Sequence, residues 1–221
     1  MHITFRYPHS MNPSQSQSLE NMMIYAVIFD IRSCRLEGPL VFENCEYLTI
    51  VRCSDNQLGR LVFKNCPELK FVDCSKCNLV SLEISGCPNL KKVDCRGNHL
   101  TELPTGLNLR WLDCSDNQLS SIRYMRRIRL LSCINNQIVS LPNKMKHLRF
   151  LECSKNRLYR LPDELPKVKH LNCSHNRLRT IPKYPKMRTC DCFGNCIRRE
   201  SAAKITGRTN VHVDIVGYPW W

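Results

Sequence analysis

"LRWLDCSDNQL", residues 109–119, alternates in a way that settles what this chain builds. On an extended backbone, Leu112 and Cys114 fall on one face while Trp111, Asp113 and Ser115 fall on the other. The stretch therefore reads as a short strand with one buried side, followed by a turn at "SDN" and a further apolar anchor at Leu119. It recurs as "LTIVRCSDNQL" at 48–58, "LKFVDCSKCNL" at 69–79 and "LKKVDCRGNHL" at 90–100. Four more copies follow: "IRLLSCINNQI" at 128–138, "LRFLECSKNRL" at 148–158, "VKHLNCSHNRL" at 168–178 and "MRTCDCFGNCI" at 187–197. A degenerate copy, "AVIFDIRSCRL" at 26–36, precedes them.

From Asn56 onward the ninth place returns at intervals of 19 to 21 residues, held by Cys77 in one copy and by Asn in the others. One supersecondary unit repeated at such a period cannot bury its apolar face alone and must stack on its neighbours. The pattern LxxLxCxxNxL resembles the leucine-rich repeat over roughly 170 residues. The resemblance implies an α/β-type repeat solenoid, mostly β: a right-handed leucine-rich-repeat solenoid with a concave parallel sheet and short irregular or extended convex segments. The early copies carry outer segments with their own strand-like pattern, "LVFENCEYL", "LVFKNCPEL" and "LEISGCPNL". Later ones switch to "LPTGL", "LPNKM", "LPDELP" and "IPKYP", similar to the short repeats of some bacterial effectors and of proteins encoded by large DNA viruses.

The chain has 221 residues, 43% hydrophobic and 24% charged, with no apolar run of membrane-spanning length. Residues 1–20 lack the continuous apolar core of a secretory signal, so a reducing, cytoplasmic setting is expected, the host's cytoplasm if the chain is viral or an effector. The net charge of +14 opens nucleic acid, an anionic surface or an acidic protein as partners.

In that setting the 15 cysteines need an explanation other than disulfides. Cys53, Cys74, Cys95, Cys114, Cys133, Cys153, Cys173 and Cys192 all occupy the inward sixth place, as small hydrophobes in a core ladder. Cys45, Cys66 and Cys87 form a second ladder in the outer segments. Cys190, Cys192 and Cys196 have spacings that could suit zinc, but two of them occupy core places and no second pair lies nearby, so no metal or other cofactor is expected. No nucleotide-binding glycine loop, nucleophile elbow or HExxH helix is present, and the expectation is a protein that is not an enzyme.

The open face of the sheet is more informative. Its second place runs Thr49, Lys70, Lys91, Arg110, Arg129, Arg149, Lys169, Arg188, and its fifth is largely acidic. Mutual neutralisation of these two columns is one reading of them. The third place runs Ile28, Ile50, Phe71, Lys92, Trp111, Leu130, Phe150, His170, Thr189, an apolar column where the fold meets water. Two readings compete there: a partner's surface, or cover by residues 1–23 or another copy of the chain. The candidate partner-binding set is Phe71, Asp73, Asp94, Arg110, Trp111, Asp113, Arg129, Leu130, Arg149, Phe150 and Glu152, with the apolar members as anchors and the charged ones selecting register.

The expected organisation is a flexible arm at 1–22, the array of about eight or nine repeats at 23–197, and a cap at 198–221 in which "NVHVDIVGYPWW" supplies a closing strand. The function expected is recognition of a protein partner by a monomer or weakly self-associating chain. The alternative is binding of nucleic acid or another anionic surface through the basic columns together with Arg157, Arg160, Arg177, Arg179, Arg198 and Arg199.

Overall fold

The computed structural model describes residues 27–197 and 210–212. The chain divides into two compact units, Met1–Asn117 and Gln118–Trp221. Each is a β-solenoid of parallel strands, and among the described residues there is no helix.

In the first unit the strands β1 (Ile28–Asp30), β3 (Ile50–Arg52), β5 (Phe71–Asp73), β7 (Lys92–Asp94) and β8 (Trp111–Asp113) pair side by side. The register is one-to-one, Phe71 opposite Lys92 and Lys92 opposite Trp111, so every place of the repeat becomes a column. Each strand covers the third to fifth places and buries its fourth-place side chain: Val51, Val72 and Leu112 have no solvent exposure. A second sheet of β2 (Leu40–Glu43), β4 (Arg60–Lys64) and β6 (Ser81–Ser85) forms the outer side of the early coils, as their strand-like pattern predicts. Phe42 stacks on Phe63 with centroids 4.9 Å apart, and Phe29 meets Phe42 edge-on at 5.2 Å, filling the space between the layers.

The second unit stacks β9 (Leu130–Ser132), β10 (Phe150–Glu152), β11 (His170–Asn172), β12 (Thr189–Asp191) and β13 (Asn210–His212) in the same way. Its outer segments are turns rather than strands, three of them with proline. The place held by Cys45 and Cys66 in the first unit is taken here by the buried Met125, Met145, Leu165 and Tyr184, larger groups that fill the outer core without a second sheet. Tyr184 donates its hydroxyl to the Pro162 carbonyl at 2.5 Å, which satisfies the one polar atom that this substitution brings inside.

Buried asparagines close the turns. Asn98 accepts from the Cys77 and Leu79 amides at 3.0 and 2.9 Å and donates to the Cys74 and Cys95 carbonyls at 2.9 Å each. Asn56, Asn117, Asn156, Asn176 and Asn195 make the same kind of bridge, joining backbone groups of adjacent coils that no water could reach. Where Cys77 replaces asparagine, its thiol donates to the Cys53 carbonyl at 2.9 Å and its own carbonyl takes over the Leu58 amide at 3.0 Å. The eighth place is left-handed in every coil, with φ between 52° and 66°, and only Gly97 and Gly194 occupy it without a Cβ penalty.

The eight sixth-place cysteines are buried as expected, and none is disulfide-bonded. Their thiols lean toward the next coil: Cys53 donates to the Asp73 carbonyl and Cys173 to the Asp191 carbonyl, each at 3.4 Å. Burial pushes the Cys74, Cys95 and Cys153 thiols well up, away from the thiolate that chemistry would need. The arm expected at 1–22 lies outside the described residues. Of the expected cap, β13 is described and runs parallel to β12, with Val211 opposite Cys190.

Candidate recognition surfaces

In the first unit the third-place column places Ile50, Phe71, Lys92 and Trp111 on adjacent strands. Ile50, Phe71 and Trp111 are partly exposed. Together with Thr49, Lys70, Lys91 and Lys92 they line an open cavity of about 560 Å³. Its floor is apolar and its rim carries three ammonium groups, an arrangement suited to an apolar side chain flanked by carboxylates.

The acidic column beside this cavity has a structural task that sequence reasoning missed. The Asp73 carboxylate accepts from the Ser75 amide at 3.2 Å and from its hydroxyl at 2.8 Å, and Asp113 accepts from the Ser115 amide at 3.0 Å. Asp94 accepts from the Arg96 amide at 3.3 Å. Each fifth-place acid thus caps the turn two residues on, and the Asp-x-Ser spacing in "VDCS" and "LDCS" is the signal that could have revealed it. Asp94 is also more deeply placed than a contact residue would be, at 8% exposure. Burial raises its carboxyl to about 6 despite the Arg96 amide and the Arg96 guanidinium at 3.6 Å. Arg96, at a place usually held by serine, also reaches Asp113 at 3.9 Å and so serves two carboxylates of the stack.

In the second unit Leu130 and Phe150 stand on adjacent strands, with Phe150 40% exposed. The next residue in the column, His170, lies flat against Phe150 with ring centroids 4.7 Å apart and planes 6° from parallel. A 2.8 Å hydrogen bond between His170 Nδ1 and Thr189 Oγ1 fixes the imidazole. Phe150, His170 and Thr189, with Glu152, Asn172 and Asp191, line a cavity of about 550 Å³. Asp191 caps its turn through the Phe193 amide at 3.2 Å, and Asn172 does so through Ser174.

Mutual neutralisation of the second and fifth columns is not what the structure shows. Among the described residues the ion pairs join Arg32 and Arg52 to Asp30, Arg60 to Glu83, Lys70 to Glu68, Arg96 to Asp94 and Asp113, and Lys144 to Glu164. None links a second-place cation to a fifth-place acid. The second place precedes each strand, which begins at the third, and Arg110, Arg129 and Arg149 there are exposed and face water. Charge is also divided unequally along the chain. Residues 1–117 hold 12 Lys and Arg against 13 Asp and Glu; residues 118–221 hold 21 against 6.

Cys190 and Cys192 are buried while Cys196 is exposed, so the C-terminal cysteines are not brought together toward one point. Among the described residues no group of three His, Cys, Asp or Glu side chains converges in a way that could hold a metal ion. No helix among them is long and apolar enough to cross a membrane.

No protein-family model matches the chain, and no curated protein matches it. Solved structures do. A leucine-rich-repeat protein of Leptospira interrogans is similar over 85% of this chain and 52% of its own, at 20% identity and a TM-score of 0.63. InlP of Listeria monocytogenes is similar over 80% of this chain and 60% of its own, at 19% identity and a TM-score of 0.54. An internalin of the same species, InlF, is similar over 78% of this chain and 71% of its own, at 16% identity and a TM-score of 0.52. This chain therefore spans about half the length of the Leptospira protein.

Proposed function

From a leucine-rich-repeat fold whose open sheet face carries an apolar column, we propose that the chain is a non-enzymatic recognition module for a protein partner. The observation that supports this most is the cavity over Ile50, Phe71 and Trp111 with its ring of Lys70, Lys91 and Lys92. Aromatic groups on a rigid sheet lose little entropy on binding, and partial exposure leaves apolar area for a partner to cover. Leu130 and Phe150 offer a second such strip, with Arg129 and Arg149 behind them and Glu152 beside. Arg110 would steer an acidic segment toward the first cavity. Asp73, Asp94 and Asp113 contribute by holding the strand ends rigid rather than by direct pairing. A core of unbonded thiols suits a reducing compartment, the cytoplasm of the producing cell or of a host.

Affinity capture from a nuclease-treated lysate, comparing wild type with a folded Phe71→Ala/Trp111→Ala variant, tests the reading. A protein retained by wild type and lost from the variant, then confirmed to bind directly after purification, is the expected result. Equal retention by both would remove the first cavity as the recognition surface.

A further inference from the structure

Seven of the 21 Lys and Arg in residues 118–221 line one rim of the second unit. In four successive coils the residue just before the repeat is Arg127, His147, Lys167 or Lys186, and the second place is Arg129, Arg149, Lys169 or Arg188. The corresponding residues before the repeats in the first unit are Tyr47, Glu68, Asn89 and Asn108, so this row is basic only in the second unit, whereas the second-place row is also basic in the first through Lys70, Lys91 and Arg110. Among the described residues none of these rim cations has an ion-pair partner; the one pair nearby is Lys144 with Glu164 at 3.4 Å. The Lys and Arg of these two rows, at a strand spacing of about 4.8 Å per coil, set up a positive potential that draws an anionic partner.

The rim runs directly into the Phe150–His170 stack, since Arg149 and Lys169 are the residues immediately before those rings. We propose that the second unit binds single-stranded nucleic acid, its phosphates against the rim cations and a base packed on the exposed part of the Phe150 ring, which is 40% accessible. Ladders of cations beside a flat aromatic platform are what a single strand requires, because its backbone is charged and its bases are unstacked. A duplex would leave the rings idle, its bases being already stacked. A membrane would engage the charges but has no use for a pinned ring at the far side of a cavity. This inference is independent of protein recognition at the first-unit cavity, and it gives Phe150, Arg129 and Arg149 to nucleic acid in place of a second protein-binding strip.

The test is fluorescence anisotropy of the full chain with labelled 12-nucleotide oligouridine and oligothymidine, the matching duplex, and vesicles containing phosphatidylserine, across a salt series. Wild type is expected to bind the single strands more tightly than the duplex or vesicles, with affinity falling as salt rises. Arg129→Gln/Arg149→Gln/Arg188→Gln should weaken single-strand binding at least tenfold and flatten the logarithmic salt slope by about 2, at roughly 0.7 per lost phosphate contact. Phe150→Ala should weaken it by about tenfold with the slope unchanged. Arg157→Gln/Arg177→Gln removes two exposed cations beyond the other ends of the strands and should change affinity less than twofold. Phe71→Ala/Trp111→Ala should leave oligonucleotide binding intact, so its failure to bind a protein would be read separately. Tighter binding to duplex or vesicles, indifference to Phe150→Ala, or equal losses from the two arginine sets would each overturn the proposal.

Discussion

The two units are built on one repeat, yet they solve the outer layer differently. The early coils of the first unit add a second sheet, place Phe42 and Phe63 between the layers, and can leave only a cysteine at the outer inward place. The second unit has turns in place of that sheet, three of them with proline, and fills the same place with methionine, leucine or tyrosine. A sheet brings its own backbone hydrogen bonds and side chains, so a small group suffices beneath it; a turn brings neither, and the side chain must grow. The outer layer and the inner column are thus covarying solutions to one volume.

Phe63→Ala is the sharpest way to break that comparison, because it removes a fully buried ring from between the two sheets. A loss of about 3–5 kcal/mol is expected in urea unfolding, with hydrogen exchange accelerating in β2, β4 and β6 before it does in β10 and β11. Equal acceleration in both units would show that the outer sheet is not a local structure.

Asn176→Ala attacks what the units share. It strips the Leu158 amide and the Cys153 and Cys173 carbonyls of their partners, at 2.9, 2.9 and 3.1 Å, in a place closed to water. About 2–4 kcal/mol should be lost. Asn176→Cys should recover part of it, since Cys77 shows how a thiol and a shifted carbonyl bond can close the same turn. If the cysteine variant is no better than alanine, the Cys77 coil owes its closure to its neighbours instead.

These features differ in how far they can be read from residues alone. Periodicity placed the strands, the buried cysteines and the asparagine turns, because each depends on positions within one copy. The outer strands were equally legible in "LVFENCEYL" and its relatives. Side-chain pairing was not: the basic and acidic columns do not meet, because the fifth-place acids turn to the amides of their own turns and, for Asp94 and Asp113, to Arg96. Asp94 looked like its column mates Asp73 and Asp113, and only the depth of its place, between two other carboxylates in register, set it apart. The Phe150–His170 stack joins residues 20 apart and needed the register to be seen.

Asp94 gives a smaller, pH-dependent effect. Its folded carboxyl titrates near 6, above the unfolded 3.8, so the native state holds a proton that the unfolded state has already released. The native state is therefore favoured by this group at low pH and loses that advantage as pH rises from about 4 to 6. Asp94→Asn keeps an acceptor for the Arg96 amide, removes the buried charge and sacrifices the Arg96 ion pair. A net gain of about 1–2 kcal/mol at pH 7, shrinking toward zero or below by pH 4, is expected from thermal melts. A gain that does not vary with pH would assign the effect to packing rather than charge.

The smallest effect concerns the left-handed eighth place, where both units store backbone strain in the same form. Lys155 holds φ near 54° while Gly97, its counterpart in the first unit, holds 66°. A lysine in this region costs roughly 1 kcal/mol, and its exposed side chain makes no compensating ion pair among the described residues. Lys155→Gly relieves that cost but loosens the unfolded chain, so the expected net gain is only about 0.5 kcal/mol, read as a rise of one or two degrees in Tm. The reverse change, Gly194→Ala, should cost more than Lys155→Gly gains, because a Cβ there would lie 2.6 Å from His175 Nδ1 in addition to the strained φ of 64°. If the two changes proved equal and opposite, backbone conformation alone would govern this place; the predicted inequality says that contact with the preceding coil governs it too.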